Sequence, residues 1–120
     1  MDLKLDIKEI DEMHDDFLAL LEKAKKSNNT IKALEEIIEH TKEHFAHEES
    51  IMQEKNYYGY GEHKEEHEKI LGEMVYFYEK AKKGFKPFAK AYIDKYALDK
   101  FSNHILKIDS QLAMFLKSDR

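Results

Sequence analysis

The chain has 120 residues, 42% hydrophobic and 38% charged, with a net charge of −5 and no cysteine. That composition suits one folded domain spanning 1–120 and excludes disulfides, thiolate zinc sites, cysteine nucleophiles and cysteine-bound iron–sulfur clusters. Its 25 acidic and 20 basic residues show no basic stripe, so no nucleic-acid partner is expected.

Met1-Asp2-Leu3-Lys4-Leu5-Asp6 lacks the apolar region of a secretory leader. No apolar run approaches the roughly 20 residues of a membrane span. The expectation is a cytoplasmic protein with no membrane partner. Three breaks punctuate the rest: Ser27-Asn28-Asn29, the stretch Asn56–Gly61, and Gly84-Phe85-Lys86-Pro87. Between them the apolar residues recur at helical spacing.

The first helix is predicted from about Ile7 to Lys26, with the seam Ile7, Ile10, Phe17, Leu21 and Ala24. The second runs from about Thr30 to Lys55, with Ile31, Leu34, Ile38, Phe45 and Met52 inward. The third spans about Glu62 to Lys83, with Ile70, Met74, Phe77 and Ala81. The fourth starts between Pro87 and Tyr92, since proline suits a first helical turn, and ends near Lys117. Its apolar face carries Leu98, Phe101, Ile105, Ile108, Leu112 and Phe115. Short links make consecutive helices antiparallel neighbours, so the predicted fold is all-α, an up-down-up-down four-helix bundle.

Polar residues interrupt every seam. His14 falls in phase with Ile7, Ile10 and Phe17. Glu48 shares a heptad phase with Leu34 and Thr41, and His44 shares one with Ile37 and Ile51. His63 and His67 precede Ile70 and Met74. His104 lies between Phe101 and Ile108, and Asp109 flanks Ile105 and Leu112. Five histidines and two carboxylates therefore aim at one interior. A buried, unpaired carboxylate is costly, and a cation that neutralises both while using the imidazole lone pairs accounts for the set economically.

The pairs His44/Glu48 and His63/His67 are one turn apart and converge. His104 and Asp109 are five apart and on a regular α-helix point roughly 140° away from each other. Two adjacent ions bridged by Asp109 ease that mismatch, and a π-bulge between the two residues removes it. Nitrogen and oxygen ligands of this kind suit iron, zinc, copper or nickel. Seven ligands are too many for one tetrahedral zinc. Five imidazoles and two bridging carboxylates leave a pair of six-coordinate ions room for a shared solvent bridge and one open position.

In chain order the segments read I-D-E-M-H, H-F-A-H-E-E-S-I-M, Y-G-E-H-K-E-E-H and N-H-I-L-K-I-D. This ordered set, over roughly residues 7–116, resembles the hemerythrin family. The resemblance implies a non-haem di-iron centre that binds dioxygen reversibly, for storage, delivery or buffering. His63, His67 and His104 would bind one iron, and His14 and His44 the other. Glu48 and Asp109 would bridge them beside an oxo or hydroxo group. Dioxygen would take the open position on the second iron, and Phe45, Phe101 and Ile105 would line its pocket. Lys100 stands where the family commonly has tryptophan, and the chain has no tryptophan. A sensor, or an enzyme reducing peroxide or nitric oxide, is the alternative. A binding protein is favoured because no further acid–base residue is expected near the pocket except His47.

Other residues are read as structural. His40 and His47 are expected at exposed or boundary positions on the flank of the second helix. Tyr57, Tyr58 and Tyr60 are expected to cap the bundle end with their hydroxyls in water. Met13, Met52, Met74 and Met114 are read as core filling.

Overall fold

The computed structural model describes residues 5 and 7–118; the other residues read above for a leader lie outside the described set. Four helices form the bundle: α1 (Lys8–Lys25), α2 (Thr30–Glu54), α3 (Tyr60–Lys82) and α4 (86–118). Helix α4 contains two π-helical turns, Tyr92–Tyr96 and Ile105–Asp109. Consecutive helices pack together, and α1 closes on α4. The molecule measures 49 × 26 × 19 Å. Among the described residues, no helix is long and apolar enough to cross a membrane.

Local chemistry fixes the ends. The Asn29 side chain caps α2 by accepting the Lys32 amide at 3.1 Å. Gly84 takes φ +100° after α3, a conformation that a Cβ would strain. Pro87 lies in the first turn of α4, so that helix begins at Lys86, just ahead of the expected start. Helix α3 begins at Tyr60, so the last two residues of the second break are helical.

Two apolar cores fill the bundle. The larger holds Phe17, Leu21, Leu34, Ile38, Met74, Ile93 and Phe101. The smaller holds Ile10, Met52, Tyr57 and Leu112. The polar residues singled out above lie between them along every helix, as a buried layer.

Helix α4 departs from the expected face. Its buried residues include Ala89, Ile93, Ala97, Phe101, Ile105, Asp109 and Ala113, every fourth residue. On a regular α-helix that spacing drifts about 40° per step. Each π turn accommodates about one extra residue and takes back roughly 100°. The two together return Ala89 and Ala113 to nearly the same side. Consequently Ala97, not Leu98, faces inward, and Leu98 is exposed. Ile108 is only half buried. Met114 is 71% exposed, because it sits two residues beyond the inward-facing Leu112 and points the opposite way. Met52 and Met74 are buried as expected, and Met13 packs partly against the smaller core.

The tyrosine cluster closes one end, but unevenly. Tyr57 is buried against Phe115, with ring centroids 4.9 Å apart. Only Tyr58 is fully in water.

Candidate metal centre

All seven residues expected in the site are buried: His14, His44, Glu48, His63, His67, His104 and Asp109. They form two convergent sets. Glu48, His63, His67, His104 and Asp109 place one ligand atom each within 4.8 Å of the others, and so do His14, His44 and Glu48.

Each carboxylate turns one oxygen to each group of imidazoles. Glu48 Oε2 accepts from His44 Nε2 at 2.9 Å, while its Oε1 lies 3.0 Å from His63 Nε2 and 3.5 Å from His67 Nε2. Asp109 Oδ2 accepts from His14 Nε2 at 2.8 Å. Its Oδ1 lies 2.9 Å from both His63 Nε2 and His104 Nε2. The π turn Ile105–Asp109 lets His104 and Asp109 meet, the second of the two arrangements that the spacing allowed.

These short contacts are not all hydrogen bonds. The Nε2 atoms of His63, His67 and His104, Oε1 of Glu48 and Oδ1 of Asp109 are buried without a hydrogen-bond partner. Five lone-pair atoms thus face one another around a common point. Buried polar atoms are ordinarily paired, so the array suits a cation, and imidazole and carboxylate are the ligand types that hold one. The residues fit a metal ion.

The electrostatics of the metal-free site agree. Burial and the Asp109 charge push the Glu48 carboxyl up, but His44, His63 and His67 outweigh them and hold it well below the usual carboxylate range. Burial pushes Asp109 up too, and is overcome by His104, His14 and His63. Burial pushes the His63 imidazole down, yet Asp109 and Glu48 lift it to about 9.

One carboxylate in the centre escaped sequence reasoning. Glu49 Oε2 accepts the Nδ1–H of His67 at 2.9 Å. This bond turns the His67 Nε2 lone pair toward the cluster and makes the ring a stronger ligand. The doubled acid Glu48-Glu49 was the available signal: the residue after an inward carboxylate lies about 100° further round the helix, within reach of the next helix.

Aromatic packing holds the rings. Phe45 stacks on His67 at 3.7 Å and 4°. Phe101 stacks on Phe17 and meets His14 edge-on at 5.4 Å. Phe45 and Phe101 line a cavity of about 10 Å³ beside His44, together with Thr41, Ile70, Tyr92 and Lys100. Ile105 is fully buried in the larger core but is not among the residues lining this cavity. Burial, then Glu73, pushes the Tyr92 phenol well above its ordinary range, so it keeps its proton. His47 is exposed and pairs with Glu9, and His40 is half buried at the edge of the layer.

The chain matches the Hemerythrin HHE cation binding domain over residues 5–116 and belongs to the hemerythrin family. One stretch of 41 residues is 46% identical to the myohemerythrin of Sipunculus nudus. That match covers 34% of this chain and 34% of the relative, so it spans about a third of that protein's length. No solved structure matches.

Proposed function

We propose that the chain is a non-haem di-iron protein that binds dioxygen reversibly. The observation that carries this reading is the division of Glu48 and Asp109 between two groups of imidazoles, one oxygen to each. That arrangement suits two adjacent ions bridged by both carboxylates. His63, His67 and His104 would hold one iron and His14 and His44 the other. The second ion would have fewer protein ligands, and the cavity lies on its side, against His44.

A bound iron pair would supply reversible transfer of two electrons to a small oxidant. The protein does the rest. Phe45 and Phe101 exclude bulk water. Glu49 and Phe45 fix the His67 ring. The cavity is about the size of one water molecule, so only a very small ligand could lodge there without displacing its walls. Membership of the family supports the assignment, and myohemerythrin is the named relative.

A peroxide-reducing enzyme is the second reading. It is favoured by the Thr41 and Tyr92 side chains in the cavity wall, whose hydroxyl groups can hydrogen-bond a bound peroxide. One experiment separates the two. The iron-loaded, reduced protein is exposed to air, degassed and exposed again while its visible spectrum is followed. Colour that returns through repeated cycles supports the carrier. Colour that forms once and bleaches, with steady consumption of added peroxide, favours the enzyme. Absence of iron after anaerobic loading would reject both.

A further inference from the structure

A groove of about 370 Å³ runs between α3 and α4 and reaches His104. Ile70, Tyr92 and Lys100 line both this groove and the inner cavity beside His44. These three side chains are therefore the partition between the outside and the metal centre. Two are held by packing: Tyr92 is buried and stacks on Phe77 at 4.4 Å, and Ile70 packs against the larger core.

The third is held by charge. Lys100 Nζ lies 2.9 Å from Glu73 Oε2, with side chains 52% and 29% exposed. The other Glu73 oxygen is buried without a partner. A half-exposed lysine has long, free rotamers, and one exposed ion pair restrains it weakly. Of the three, Lys100 is the one that can move without opening the core.

We propose that small ligands reach the metal centre through the α3–α4 groove, and that the Lys100–Glu73 ion pair is the latch of this route. The inference rests on the functional reading above. The inner cavity, about 10 Å³, is no larger than one water molecule, so only the smallest ligands could enter it, with some yielding of its walls. Lys69, Lys100 and Lys107 line the groove against Glu66 and Glu73, with Lys69 paired to Glu66 and Lys100 to Glu73, which leaves one positive charge in excess at its mouth.

The test is azide binding to the diferric protein, followed by stopped-flow absorbance. A latch changes association and dissociation rates by the same factor and leaves the dissociation constant alone. Lys100→Ala should raise both rates roughly two- to fivefold, the range of an exposed ion pair. Glu73→Gln, which frees Lys100, should act in the same direction by less. Lys100→Trp should slow both rates. The chain has no other tryptophan, so the introduced indole also reports its own place: blue-shifted emission in the metal-free protein marks burial in the partition.

Rates unchanged in all three variants would overturn the route. A changed dissociation constant at an unchanged association rate would make Lys100 a ligand contact and overturn the latch. Emission typical of exposed indole would overturn the placement of residue 100 in the partition. Wild-type protein that carries two irons but takes no azide would reject the functional reading and the route together.

Discussion

Removing the Glu49 carboxylate is the most direct test of how the protein tunes its metal. Glu49 touches the site through one bond, to His67 Nδ1 at 2.9 Å, and its side chain is 22% exposed. Partners of this kind are typically worth 10- to 100-fold in metal affinity, or roughly 1.4–2.7 kcal/mol. At fixed ferrous iron the loaded protein loses the same amount of stability. For a domain of this size each kcal/mol moves the melting temperature by about 3–6 °C, so Glu49→Ala should lower that of the loaded protein by roughly 4–16 °C more than that of the metal-free protein. The metal-free protein loses one partly exposed hydrogen bond, about 1 kcal/mol. Glu49→Gln keeps an acceptor oxygen but not the charge and should fall between. Paired anaerobic melts with and without iron, together with titration against a chromogenic ferrous chelator, measure both quantities. Equal iron affinity in the wild type and Glu49→Ala, with melts shifted equally in both forms, would refute the reasoning and leave Glu49 a contact of the fold.

The remaining predictions concern other parts of the molecule. His63→Ala, His67→Ala and His104→Ala should each lose iron and thermal stability together, because metal binds only the folded site; full loading and unchanged melting in all three would reject the assignment. In the metal-free protein His63 is raised to about 9, so its contribution to stability is complete below about pH 6.5 and is lost as pH rises through 9. Glu48 and Asp109 are lowered, so theirs is present above about pH 4 and is lost as pH falls toward the depressed values. Melting temperature should therefore peak in mildly acidic solution without metal. Metal binding near pH 7.5 should release close to one proton from His63, read with an indicator dye in weak buffer. Gly84→Ala meets no side chain but must adopt φ +100°, so a loss of about 1 kcal/mol, or roughly 3–6 °C, is expected in thermal melts.

The inward positions of the seven clustered histidines and carboxylates were legible because each breaks an apolar seam in phase. A histidine in the slot between Ile10 and Phe17, or a glutamate one turn after His44, has no reason to face inward except chemistry. The π turn at Ile105–Asp109 was legible as one of two ways to bring residues five apart together, and the structure has it. The turn at Tyr92–Tyr96 carries no ligand pair and passed unnoticed. Its trace was the run Ala89, Ile93, Ala97, Phe101, whose steps of four outrun a regular helix, and missing it misplaced Leu98. Glu49 and the Lys100–Glu73 pair were hidden because they join different helices. Seam periodicity reports which way a residue faces on its own helix, and not which partner waits opposite.

The two wide turns of α4 make that helix a ruler with surplus graduations. Relative to an unbroken α-helix, the segment carries about one extra residue at each π turn. Deleting one residue within 105–109 would restore the regular ladder and improve the helix considered alone. It would also rotate everything beyond the cut by about 100°, setting Asp109 against solvent or Leu112 out of the smaller core. A shorter, more regular chain should thus be the poorer protein, with weaker iron retention despite an undiminished helical signal in circular dichroism. The irregular stretch keeps two incompatible periods in step: the one the backbone prefers and the one that brings His104 and Asp109 together.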